Sequence, residues 1–111
     1  MKPVDLKAAL KAKKPVFGFM VSATASMRWE RVFAGSTLDF VVIDSEHGSR
    51  DRQLISDTCT QMKSLGITAI VRTPNTEEVW VAMALDAGAD GVLVPYCETV
   101  DEVRHTCMKM R

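Results

Sequence analysis

Two carboxylates and an imidazole stand close together in Asp44-Ser45-Glu46-His47, directly after the apolar run Phe40-Val41-Val42-Ile43 and before Gly48. Imidazole titrates near neutral pH and serves as a general base, and a neighbouring carboxylate orients it and supports its protonated form. In an extended segment Asp44 and Glu46 share one direction and His47 takes the other, a geometry that a turn at Gly48 would change. The competing account is a polar loop in which Asp44 only turns the chain. Position favours chemistry. A short continuous apolar run suits a strand buried on both faces, and ligand sites in parallel sheets lie at the carboxyl ends of the strands.

Two further residues could join this group. Arg72 closes the run Ile67-Thr68-Ala69-Ile70-Val71, just before Thr73-Pro74. A guanidinium there can grip an anionic substrate through two parallel hydrogen bonds, or it can form a salt bridge with a loop carboxylate. Asp86 stands among apolar residues near the end of the segment 79–87, where a carboxylate works against the helix dipole. It either faces water or pairs with His47 and fixes the tautomer of the ring. His105, beside Asp101, Glu102 and Arg104, is expected to be solvated. Cys59 and Cys107 are expected to be small core side chains, and Trp29 and Trp80 packing residues.

The elements that must position these residues are legible as repeating units. Leucines four apart and trailing lysines suit a helix over 4–14, stopped by Pro15. A first strand follows over 16–21, with Gly18 allowing a neighbour to approach closely. Small hydroxyl residues in 22–26 can cap a helix over 27–34 that Gly35 closes. The second strand is Phe40-Val41-Val42-Ile43. Beyond Gly48, residues 51–65 place Leu54, Ile55, Thr58, Cys59, Met62 and Leu65 on one helical face, and Gly66 ends it. The third strand, 67–71, delivers Arg72. Asn75 and Glu78 have capping-box-like spacing at the start of a helix running to about residue 87, with Gly88 after it. A fourth strand over 91–95 leads through Tyr96 and Cys97 to Thr99 and Glu102, a capping-box pair that opens a last helix. Four strand–helix units with short connections prescribe an α/β fold of parallel strands and right-handed crossovers.

At 111 residues the chain forms one domain, residues 1–111, with a core of its own. Its 14 basic and 14 acidic residues balance, so no net field recommends nucleic acid or an anionic membrane as a partner. The three cysteines form no Cys-x-x-Cys pair, so a disulfide framework is not expected and a reducing, cytoplasmic setting is. No stretch approaches the roughly 20 apolar residues of a membrane span.

The block Val41-Val42-Ile43-Asp44-Ser45-Glu46-His47-Gly48, followed in order by Val71-Arg72-Thr73-Pro74, by Leu85-Asp86-Ala87-Gly88-Ala89-Asp90-Gly91-Val92-Leu93-Val94-Pro95 and by Glu98-Thr99, resembles the HpcH/HpaI family of class II aldolases. The Asp-x-Glu-His-Gly block is the specific part; the Ala-Gly-Ala-Asp-Gly stretch is looser. The resemblance implies a (β/α)8 TIM barrel that cleaves 4-hydroxy-2-oxo acids to pyruvate and an aldehyde and assembles as a homo-oligomer. It implies a divalent metal (Mg, Mn or Co) that binds the 2-oxo acid and stabilises the enolate. On the same resemblance, His47 is the base, Asp86 its carboxylate partner, and Arg72 the residue that contacts the 2-oxo acid and steadies the enolate oxygen. Asp44 and Glu46 line the metal pocket, Glu46 through metal-bound water.

The family's direct metal ligands, a Glu and an Asp of later strands, match nothing up to Arg111. The expectation is therefore an N-terminal half barrel of about four units, whose lone copy holds no metal and lacks aldolase activity. An open parallel sheet would expose its edges and self-associate. Two alternatives are a non-catalytic half-barrel assembly module and a small doubly wound signalling domain with Asp44 as phosphoacceptor.

Overall fold

The computed structural model of the chain describes residues 1–22, 28–47 and 51–110. The hydroxyl cap expected from Thr24 and Ser26 and the turn expected at Gly48 lie outside these residues. Within them the order is α1 (Pro3–Lys11), β1 (Gly18–Val21), α2 (Trp29–Val32), β2 (Phe40–Asp44), α3 (Arg52–Ser64), β3 (Thr68–Arg72), α4 (Glu78–Asp86), β4 (Gly91–Leu93) and α5 (Val100–Lys109). The strands form one sheet in the order β1-β2-β3-β4, every neighbouring pair parallel. This is the α/β arrangement expected of four strand–helix units.

Strand alternation divides the side chains between two faces. Val41 and Ile43 of β2, with Ala69 and Val71 of β3, join the buried cluster that also holds Ile55, Cys59 and Met62 of α3 and Ala84 of α4. The opposite parity, Phe40, Val42 and Asp44 with Thr68, Ile70 and Arg72, belongs to the other face, and the register pairs Asp44 with Arg72 at its carboxyl end. Gly18 lies on this face opposite Phe40. A Cβ added there would stand 2.3 Å from the Phe40 ring, so the glycine admits the close approach expected of it.

Helix boundaries follow their caps. Asp51 accepts the Leu54 backbone N–H at 2.8 Å to open α3, and Gly66, at φ +71°, closes the turn behind it. Thr99 and Glu102 form the expected reciprocal capping box on α5. The box expected at Asn75 does not form, because the Asn75 side chain accepts the Glu77 N–H at 2.9 Å and α4 begins one residue beyond Glu77 without a side-chain cap.

Strands β1 and β4 are shorter than expected. Before β1, the Phe17 N–H goes to the Asp39 carboxylate at 2.8 Å instead of to a neighbouring strand. After β4, Pro95 has no N–H to offer and Tyr96 turns the chain at φ +62°. One of the two cysteines expected in the core departs from expectation. Cys59 is buried, its thiol pushed up to about 11 by burial, whereas Cys107 is exposed. His105 is exposed, as expected, and its Nε2 also contacts the Glu78 carboxylate, tying α5 to α4. Trp29 is buried and stacked on Phe33, as a packing residue should be. Among the described residues no helix is long and apolar enough to cross a membrane.

Candidate active site

The site grows from the last residues of β2 and β3. Their register sets Asp44 beside Arg72, and the guanidinium closes on the carboxylate in two parallel bonds: Nε donates to Oδ1 at 3.0 Å and Nη2 to Oδ2 at 2.7 Å. Asp44 is almost fully buried, at 1% exposure. Its Oδ1 also accepts the backbone N–H of Glu46 at 2.9 Å and of His47 at 3.3 Å. One carboxylate therefore both turns the chain and anchors the arginine. Burial alone would push the Asp44 carboxyl up; the Arg72 hydrogen bond, the two backbone donors and the guanidinium charge outweigh it and hold the group below the usual carboxylate range. The same bond to Asp44 raises the Arg72 guanidinium still further above neutrality, against a smaller opposing effect of burial.

Glu46 is the second acid. Its Oε2 lies 3.3 Å from Arg72 Nε, and its Oε1 lies 3.5 Å from His47 Nε2. The Tyr96 hydroxyl donates to the same Oε1. The Glu46 side chain is 8% exposed while that of His47 is 68% exposed, so the imidazole faces out over a buried, charge-paired floor. Ser45 fastens the loop, its N–H donating to the Arg72 carbonyl at 3.0 Å.

Asp44, Glu46, His47 and Arg72 are thus brought together. Asp86 is held elsewhere: its Oδ2 lies 3.6 Å from Arg52 Nη2, and both side chains are exposed. Among the described residues no hydrogen bond or ion pair joins Asp86 to His47. The charge that opposes the α4 dipole is compensated by this arginine, a partner that residue spacing did not suggest. Tyr96 was also missed. Its signal was a lone aromatic hydroxyl at the exit of the fourth strand, which pattern alone treats as loop.

The donor chemistry of the described residues does not fit a directly bound metal. Among the described residues no group of three or more His, Cys, Asp and Glu side chains is placed to hold a metal ion, and both Asp44 oxygens are bound to Arg72. A buried carboxylate so engaged also lacks the free, exposed oxygen that a phosphoacceptor needs, which removes the signalling alternative.

Paired acids, a clamped arginine and an open histidine at the carboxyl ends of parallel strands are the features on which sequence relatives can be compared. A model of the HpcH/HpaI aldolase/citrate lyase family matches residues 17–111. The chain belongs to this family. It is 30% identical over 107 residues to the 4-hydroxy-2-oxo-heptane-1,7-dioate aldolase of Escherichia coli, a match covering 96% of this chain and 40% of that protein. It is 31% identical over 98 residues to the hydroxypyruvate/pyruvate aldolase of Roseobacter denitrificans, covering 88% and 38%. The crystal structure of the HpcH/HpaI aldolase from Desulfitobacterium hafniense superposes with a TM-score of 0.79 at 30% identity, covering 91% of this chain and 39% of that one. The chain therefore spans about two fifths of the length of the relatives it matches.

Proposed function

We propose that residues 1–111 are the N-terminal half of a class II aldolase barrel that cleaves 4-hydroxy-2-oxo acids to pyruvate and an aldehyde. The observation that carries this is the Arg72 guanidinium held between Asp44 and Glu46 beside an exposed His47, at the carboxyl ends of two adjacent parallel strands. Arg72 has the fixed cationic geometry to bind the 2-oxo acid and to stabilise negative charge developing on the enolate oxygen. His47 takes the proton of the substrate 4-hydroxyl as the bond between carbons 3 and 4 breaks, which releases the aldehyde and leaves the pyruvate enolate. Asp86 supports His47 in this reading once the complete site is assembled. Divalent-metal dependence belongs to the same reading, with its direct donors outside the described residues, and no step is assigned to it.

The test is pyruvate release from a 4-hydroxy-2-oxo acid in the presence of Mg, Mn or Co. It compares the 111-residue chain alone with the chain complexed to the remaining strands of a family member, the assembly verified by light scattering. Turnover in the assembled sample that His47→Ala abolishes supports the proposal. An assembled sample without turnover, or turnover indifferent to His47→Ala, overturns it.

A non-catalytic assembly module is the second reading. It is favoured by β1 and β4 standing at the two edges of the sheet, with Met20 and Leu93 exposed on them. A defined complex that forms without any turnover in either sample would support it.

A further inference from the structure

We propose that Tyr96 is a positioning residue: its hydroxyl clamps Glu46 so that one carboxylate oxygen faces His47 and the other faces Arg72. The catalytic meaning of this clamp rests on the function proposed above; the clamp itself does not.

Three observations carry it. The Tyr96 hydroxyl donates to Glu46 Oε1, the same oxygen that lies 3.5 Å from His47 Nε2, while Oε2 lies 3.3 Å from Arg72 Nε. A carboxylate between two cationic or potentially cationic neighbours can collapse onto either. A third bond from a different strand end removes that freedom. Glu46 needs such a partner because Arg72 is already committed: Nε and Nη2 are bound by Asp44, and Glu46 meets Nε only at longer range. Finally, Tyr96 adopts φ +62°, a left-handed conformation uncommon and strained for a bulky residue. Such strain persists where surrounding contacts over-determine it, and here it accompanies a ring returned from the β4 exit toward β2 and β3. The phenol is influenced in kind. The Glu46 hydrogen bond and charge, with a smaller effect of burial, move its ionisation above the ordinary tyrosine range, with Arg72 pulling the other way.

Tyr96 is the single tyrosine of the chain, so its ionisation can be followed by phenolate absorbance without a competing signal. The experiment uses the 111-residue chain and its Glu46→Gln and Tyr96→Phe variants, with folding verified by circular dichroism and exchange of the Arg72 Nε proton measured by NMR. Glu46→Gln is expected to return the phenol titration to the ordinary tyrosine range. Tyr96→Phe is expected to speed exchange of the Arg72 Nε proton several-fold while the circular dichroism stays unchanged. An unmoved titration in folded Glu46→Gln overturns the clamp, and so does wild-type exchange in folded Tyr96→Phe. Neither readout requires turnover, so failure of the clamp and failure of the aldolase reading are separable.

Discussion

Asp44 and Arg72 are register partners across β2 and β3, and their side chains meet in a two-bond pair at 2.7 and 3.0 Å on the face turned away from α3. Because Asp44 is buried, removing one partner leaves a charge without its counterion in a poorly solvated place. Arg72→Leu is expected to destabilise the chain by about 3 kcal/mol or more, the usual cost of breaking a buried pair. Adding Asp44→Asn to that variant should recover part of the loss, since the stranded charge is then gone. Urea denaturation of both variants measures this, and a double variant no more stable than Arg72→Leu would contradict the account.

The same pair makes stability acid-sensitive in one direction. The Asp44 carboxyl ionises below its ordinary value in the folded chain, so the folded state favours the charged form more than the unfolded state does. Its stabilising contribution is complete above the unfolded-state pKa of about 3.9 and is lost as pH falls through the lower folded value. Asp44→Asn should therefore lower stability at neutral pH and flatten its decline at acid pH. Parallel slopes for wild type and variant below about pH 4 would show that Asp44 does not drive the decline.

Much of this was legible in the sequence, for physical reasons that also explain the gaps. Phe40-Val41-Val42-Ile43 announced a buried strand because continuous apolar runs have few other uses, and Gly66 marked a helix end because φ +71° suits glycine. Asp44 and Arg72 were each recognisable as strand-end groups, but their pairing depends on inter-strand register, which the local pattern of either strand does not contain. The Asn75 cap failed because one side-chain oxygen had two candidate donors and bonded the nearer, Glu77 N–H. Tyr96 and Arg52 escaped notice because each acts across elements, on Glu46 and Asp86, that are 50 and 34 residues away in sequence.

Gly18 offers a packing test on the same sheet face. A methyl group at this position would fall 2.3 Å from the Phe40 ring, which must then swing aside. Gly18→Ala is expected to cost about 1–2 kcal/mol, in the range of overpacked sites, and Phe40→Leu in the same chain should return part of it by vacating the ring position. An unchanged denaturation midpoint for Gly18→Ala would mean that the ring moves freely into solvent.

Asp86 separates structure from catalysis. Its carboxylate and Arg52 meet at 3.6 Å with both side chains well exposed, and exposed pairs of this kind contribute about 0–1 kcal/mol. Its position at the end of α4 also opposes the helix dipole, so removing the charge relieves one cost while losing one gain. Asp86→Asn should therefore leave stability within about 0.5 kcal/mol of wild type. The aldolase reading demands something quite different of it in the assembled barrel, where it would support His47, and there the substitution should slow pyruvate release by about a hundredfold or more. Arg52→Ala frees Asp86 from its present partner without touching the proposed acid–base pair, so that variant should retain turnover. If Asp86→Asn turns over as fast as wild type, His47 works without this carboxylate, and the contact with Arg52 is then the interaction that accounts for it.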